Sequence, residues 1–104
     1  MHVERIKFER TGGFAGMRIA RDLKLDDLPE EQAHTIVELL DDIDFGELPE
    51  QMLDESGPDQ FTYIITVETE EWQHTVVTGD ASASEKMQEL LQVLNRLIRT
   101  RKRQ

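Results

Sequence analysis

Apolar and polar residues alternate along two segments near the start of the chain. Ile6 and Phe8 share one parity within residues 3–10, and charged residues take the other. Residues 17–25 repeat the alternation, with Arg21 as the one polar interruption. A period of two is typical of a strand that is buried on one face. The two segments therefore predict a β-hairpin.

A helical pattern follows the predicted hairpin. Pro29 and the two glutamates after it favour a helix start, because proline fits the first turn and carboxylates complement the positive end of the helix dipole. Gly46 and Pro49 are expected to end this helix, and residues 47–60 to form a long acidic loop. The apolar residues between these limits recur at intervals of three and four, as on one helix face: Ala33, Ile36, Val37, Leu40 and Ile43.

The second half of the chain repeats the order of the first. Residues 61–68 and 72–78 alternate like strands and predict a second hairpin. Ser82 or Ser84 is expected to cap a closing helix, in which the apolar residues again keep helical spacing. The order ββαββα predicts an α+β fold over residues 1–104, with a four-stranded, mostly antiparallel sheet and both helices on one face. A chain of 104 residues suffices for one domain.

Charge is distributed unevenly along the chain. The net charge is -10, and residues 22–59 alone hold fourteen acidic side chains against one basic. Such an acidic middle argues against nucleic acid as a partner. The basic residues near the end of the chain favour a helix C-terminus instead. Without a signal-like or membrane-length apolar run, we expect a cytoplasmic protein that makes no membrane contact. We also expect it to be a monomer when free.

The sequence provides no catalytic or metal-binding motif. His2, His34 and His74 are scattered over three predicted elements, and cysteine is absent. No Gly-Lys-Ser/Thr phosphate loop occurs. A calcium loop starting at Asp42 fails because glycine falls at its fifth position, not its sixth. We therefore predict no catalytic residue, no metal site and no cofactor.

A glycine-rich run separates the first two predicted strands. It reads Gly12, Gly13, Phe14, Ala15 and Gly16. Glycine permits the positive φ angles of a hairpin tip, and tips lie on the surface. Phe14 then either packs back over the sheet or points outward as an anchor for a partner, and the pattern alone leaves both open.

Two motifs of the chain are specific in sequence, the Gly-Gly-Phe-Ala-Gly element within Phe8–Arg18 and the Phe-x-Tyr-x-Ile-Thr-Val-Glu strand at 61–68. Further motifs stand at Leu28–Glu31, Asp44–Pro49 and His74–Val76. In this order the motifs resemble the emfourin family, the protein inhibitors of protealysin-like metalloproteases. Two features depart from the family pattern: Gly46 stands where a second aromatic residue is expected, and the final basic tail is longer.

The resemblance implies a non-enzymatic inhibitor of thermolysin- or protealysin-type zinc metalloproteases of the M4 family. Such an inhibitor would bind reversibly in the active-site cleft of the protease, to which the zinc belongs. Gly12, Gly13, Phe14, Ala15 and Gly16 are then the candidate partner-binding residues. Phe14 suits the preference of these proteases for a bulky apolar residue after the scissile bond. Small residues beside it would avoid obstructing a narrow cleft.

The sequence leaves three other interpretations open. An acidic adaptor without inhibitory activity could bind a basic protein through residues 26–59. A small enzyme would need an apolar pocket that holds an acid with a perturbed pKa. Self-association could occur through an exposed hairpin edge.

If each element returns antiparallel to the last, the first hairpin tip, the 47–60 loop and the turn before the last helix gather at one end of the sheet.

Overall fold

A computed structural model describes residues 2–12, 18–51, 61–79 and 84–101 of the chain. Two short 3-10 helices, Leu25–Asp27 and Phe45–Glu47, precede and follow the first α-helix. The predicted order ββαββα is confirmed. Its elements are β1 (Val3–Gly12), β2 (Ile19–Lys24), α1 (Glu30–Asp42), β3 (Phe61–Thr69), β4 (Gln73–Gly79) and α2 (Glu85–Arg101).

The four strands form one sheet in the order β2-β1-β3-β4, and every neighbouring pair is antiparallel. β1 lies inside the sheet, where Phe8 is opposite Arg21 of β2 and Ile65 of β3. The predicted α+β class and sheet are confirmed. Arg21, the polar interruption in the second strand, stays half-exposed and donates to the Ala20 carbonyl at 2.8 Å.

One face of the sheet is buried beneath the two helices. Ile6, Phe8 and Ile65 have 0–1% of their surface exposed, whereas Lys7 and Ile64, which point to the other face, are not buried. This alternation follows the pleat of a strand. The helices contribute mainly leucines and isoleucine to the same core: Ile36, Leu39, Leu40, Met87, Leu90, Leu91, Leu94 and Leu97. Ser84 caps α2, because its Oγ accepts a hydrogen bond from the Met87 amide at 3.2 Å.

Helix α1 ends at Asp42, earlier than the expected stop at Gly46. Ile43 caps the helix, and Asp44 takes a left-handed conformation with φ of 52°. Aspartate tolerates this conformation better than most side chains. The reversal places Phe45 in the core, where only 1% of its surface is exposed. Burial of this ring therefore ends the helix before the glycine does.

The first part of the expected 47–60 loop is bound along the outer edge of β4. The Val77 amide donates to the Glu50 carbonyl at 2.8 Å, and Gln51 forms a parallel bridge with Val77. Nε2 of His74 lies 2.7 Å from the Leu48 carbonyl oxygen. These bonds cover part of an edge that would otherwise present free backbone groups. Residues 52–60 of the expected loop lie outside the described residues.

Thr78 offers a test of how the core treats an unpaired polar group. The residue is fully buried, and its hydroxyl has no hydrogen-bond partner in the part of the chain that the structure describes. Because a buried, unsatisfied hydroxyl costs free energy, we expect Thr78→Val to raise the free energy of unfolding by about 1 kcal/mol. Denaturant unfolding followed by circular dichroism measures this change.

Thr75 on the same strand provides the matched control for Thr78. Its hydroxyl lies 2.8 Å from that of Thr66, so the two share a hydrogen bond. Thr75→Val removes that bond and is expected to lower the free energy of unfolding, by about 1 kcal/mol. Equal losses from both substitutions would show that the Thr78 hydroxyl is satisfied.

Candidate partner-binding site

Of the five candidate partner-binding residues, Gly12 is the one that the structure describes. It ends β1 opposite Phe61, with φ of 91°, a conformation that L side chains rarely adopt. Gly13, Phe14, Ala15 and Gly16 lie outside the described residues. Both orientations of Phe14, packed on the sheet or pointing outward, therefore stay predictions.

The register brings three chain connections to one end of the sheet. Gly12 lies opposite Phe61, the first residue of β3, and Thr62 lies opposite Gly79, the last residue of β4. Segments 13–17, 52–60 and 80–83 therefore attach at this end. The expected gathering of the first hairpin tip, the 47–60 loop and the turn before the last helix therefore holds where these segments join Gly12, Phe61 and Gly79. The 47–60 loop begins at the opposite end of the sheet, where Glu47 lies beside Trp72. The turn that contains Trp72 lies at the opposite end, beyond Thr69.

An aromatic stack supports the base of the first hairpin on the side that faces the helices. The Arg10 guanidinium lies 4.6 Å from the centre of the Phe61 ring, and its Nη1 donates to Oδ1 of Asn95 on α2 at 2.7 Å. The Phe61 ring is 6.3 Å from Tyr63, which stacks on Phe8 at 5.8 Å. Contacts thus run without a break from the buried core to the last residues of β1.

A second polar contact closes the hairpin base on the outer face of the sheet. Nε of Arg18, just before β2, donates to Oε2 of Glu9 at 2.6 Å. That hydrogen bond, and then the negative charge of Glu9, raise the pKa of Arg18, while burial has a small opposing effect. Arg18 is exposed, so the pair adds little to overall stability. Its geometry nevertheless joins the two strands where the glycine-rich connection begins and ends.

The outer face of the sheet carries an open cleft of about 340 Å³ lined by residues from three strands. Its carboxylates are paired: Glu9 with Arg18, and Asp22 with Arg5 at 3.2 Å. Paired, partly exposed carboxylates are common on the solvated surface of a sheet. The cleft therefore adds no support to the hypothesis of an enzyme.

The histidines do not converge. His74 is half-buried, is hydrogen-bonded to the Leu48 carbonyl and stands edge-on to Phe45 at 5.8 Å, so it has a structural role. His34 pairs with Glu38 on the exposed side of α1. His2 lies with Glu4 and Glu70 in a group that no sequence pattern predicts, since the strand register brings them together. Their ligand atoms all lie within 4.8 Å of one another. All three members of this group are exposed.

Three acidic residues lie around the one tryptophan of the chain. Asp41, Asp44 and Glu47 line a shallow cleft with Trp72, at the end of the sheet opposite Gly12. Asp42 pairs with Lys86 of α2 at 3.8 Å.

In the described part of the chain, neither helix is both long enough and apolar enough to cross a membrane.

Comparison with known families assigns the chain. The sequence model named Emfourin matches residues 8–95, from the middle of β1 to the last turns of α2. The chain belongs to the emfourin family. The family predicted from the glycine-rich run and the 61–68 strand is thereby confirmed, and so is the prediction of a protease inhibitor that is not an enzyme.

One solved structure that resembles this emfourin is emfourin (M4in) from Serratia proteamaculans, described as an M4 family peptidase inhibitor. The two chains share 19% sequence identity over 83% of each, with a TM-score of 0.44. No protein with a curated description shows significant sequence similarity to this emfourin.

The departure from the family pattern at Gly46 has a structural explanation. A Cβ atom added at Gly46 would lie 3.2 Å from Cζ2 of Trp72, closer than most real Cβ contacts. Trp72 therefore occupies the space in which an aromatic side chain at position 46 would start.

This contact predicts the effect of restoring an aromatic residue. We expect Gly46→Phe to displace Trp72 and to lower the free energy of unfolding by about 1–3 kcal/mol, the usual cost of overpacking. Trp72 is the sole tryptophan, so its emission reports the displacement as a shift to longer wavelength. In a Trp72→Ala background the same substitution should cost less. An equal cost in both backgrounds would contradict the contact as its cause.

Proposed function

We propose that this emfourin inhibits zinc metalloproteases of the M4 family, the thermolysin and protealysin type. It binds reversibly in the active-site cleft of the protease, through the connection of Gly12, Gly13, Phe14, Ala15 and Gly16 between β1 and β2. The observation that carries the proposal is the family match over residues 8–95, which includes this connection, the second half of β1 and all of β2. The catalytic zinc belongs to the protease.

The surroundings of the connection support its use in binding. Its base is joined by Arg10–Asn95 on one face and Arg18–Glu9 on the other, so side-chain contacts restrain the chain where the connection starts and ends. Loops that a rigid scaffold holds commonly carry binding residues. A rigid base also lowers the entropy lost on association.

Phe14 is the proposed anchor of the interface. Aromatic side chains that enter a pocket dominate the energies of many interfaces. Its neighbours are glycine and alanine, so the segment is slender enough for a narrow cleft. An aromatic anchor on a slender segment requires a partner with a concave, apolar pocket beside the catalytic metal.

Charge is proposed to steer the approach of the protease. Segment 52–60 attaches at the same end of the sheet as Gly12, and it contains Asp54, Glu55 and Asp59. Complementary charge raises the rate of association more than it raises affinity. Added salt should therefore slow the onset of inhibition while leaving most of the equilibrium affinity.

A panel of purified M4-family proteases tests the proposed function. Hydrolysis of a peptide substrate should fall with increasing emfourin concentration and recover on dilution. An inert result across the panel would overturn the proposal. Salt separates it from the acidic adaptor, because purely electrostatic contacts are screened at high ionic strength whereas an apolar anchor persists. The proposal takes the free protein to be a cytoplasmic monomer, and sedimentation velocity tests the monomer.

A further inference from the structure

Arg10 is a long cation on the face of β1 that otherwise builds the core. Ile6 and Phe8, which share its parity, are almost fully buried, whereas Arg10 is half-buried. It lies two residues before Gly12, at the end of the sheet where the glycine-rich connection attaches. The hydrophobic pattern gives no reason for a charge at this position.

The contacts of Arg10 join three elements. Its guanidinium stacks on Phe61 of β3 and donates to Asn95 of α2, while its backbone lies in register with Ile19 of β2 and Tyr63 of β3. Within the described ranges no carboxylate pairs with Arg10, unlike Arg5 and Arg18. A neutral amide and an aromatic ring hold this cation, and such partners fix the plane of a guanidinium rather than neutralise its charge.

Gly12 makes this restraint important for the connection. A glycine has no side chain with which to pack, so neighbouring residues must restrain its backbone. Gly12 pairs with Phe61, the same ring on which Arg10 stacks. Fixing the Phe61 ring and the end of β1 together therefore fixes the direction in which the chain leaves the sheet.

We propose that Arg10, held between Asn95 and Phe61, is a positioning residue that preorganises the base of the glycine-rich connection and thereby strengthens inhibition. This inference rests on the proposed function. Arg10 acts through Gly12 and its neighbours and not through contact with the catalytic zinc. Preorganisation acts by removing part of the ordering cost of binding, so its loss weakens affinity without removing any residue from the interface.

Inhibition constants of paired variants test the proposal. Arg10→Ala and Asn95→Ala should each raise the inhibition constant on the order of five-fold, and the double variant should raise it no further than either single one. Asn95→Asp keeps an acceptor oxygen and should restore wild-type inhibition. Arg5→Ala is the matched control, because it breaks an arginine contact at the other end of the same strand. It should leave the inhibition constant unchanged.

Amide hydrogen exchange of the free protein provides a readout that needs no protease. Exchange at Gly12 and Ile19 should accelerate in Arg10→Ala but not in Arg5→Ala. If wild-type protein inhibits and neither Arg10→Ala nor Asn95→Ala changes inhibition, the inference is overturned. If the wild type inhibits no protease, the proposed function fails. In that case exchange alone decides the positioning role: acceleration supports it, and unchanged exchange overturns it. If Arg10→Ala unfolds, Arg10→Lys replaces it, since lysine keeps the charge without the planar group.

Discussion

Replacing Phe14 with alanine is expected to weaken inhibition of an M4-family protease by roughly 30- to 1000-fold, the range for losing about 2–4 kcal/mol at an aromatic anchor. The glycines and alanine beside Phe14 offer little contact area of their own, so the loss has few compensating contacts. The weaker inhibition should come mainly from faster dissociation of the complex, as for most interface substitutions. A titration of protease activity against inhibitor concentration measures the effect.

Ile64→Ala is the matched control for Phe14→Ala. Ile64 is a half-buried apolar residue on the outer face of β3 and is not among the candidate partner-binding residues. Its truncation should leave the inhibition constant unchanged, while circular dichroism shows that both variants keep the fold. Unchanged affinity of Phe14→Ala would remove Phe14 as the anchor, even if the protein inhibits.

Replacing Phe45 with alanine is expected to lower the free energy of unfolding by about 3–5 kcal/mol, the usual loss for a buried phenylalanine. The ring is 1% exposed and contacts His74 edge-on at 5.8 Å. Since small domains are stable by only about 5–15 kcal/mol, this is a large part of the total. The melting temperature should fall on the order of 15 °C.

Phe61→Ala is the matched control for Phe45→Ala. Phe61 is half-buried and packs against Tyr63 and Arg10 at the edge of the core. Its truncation leaves a space that water can enter, so we expect a loss of about 1–2 kcal/mol. Similar losses from both substitutions would contradict the view that Phe45 anchors the turn after α1.

Local pattern determined most of the fold because the sheet and helices bury one face each. The alternation through Ile6 and Phe8, and again through Tyr63 and Ile65, identified the strands and the faces that the core covers. The sequence also limited the cap of α2 to Ser82 or Ser84, because a helix cap is a contact between neighbours in sequence, and the structure shows that Ser84 is the cap. The glycine-rich run and the 61–68 strand were specific enough to identify the family, and the match over residues 8–95 confirms it.

Tertiary structure decided features that depend on residues far apart in sequence. Gly46 suggested the end of α1, but burial of Phe45 against β4 reversed the chain at Asp44 instead. Residues 48–51 looked like loop, because no local signal shows that β4 leaves an edge for Glu50 and Gln51 to cover.

The candidate site divides in the same way. Composition and family resemblance named Gly12–Gly16, since a turn that requires glycine is a local property of the chain. The sequence did not predict the contact between Arg10 and Asn95 at the base of this segment. The two residues are 85 positions apart and meet only when α2 packs across the sheet. The sequence by itself therefore determined the elements, their buried faces and the family. The tertiary structure decided where the elements end and what holds the binding segment, because those depend on contacts that periodicity does not encode.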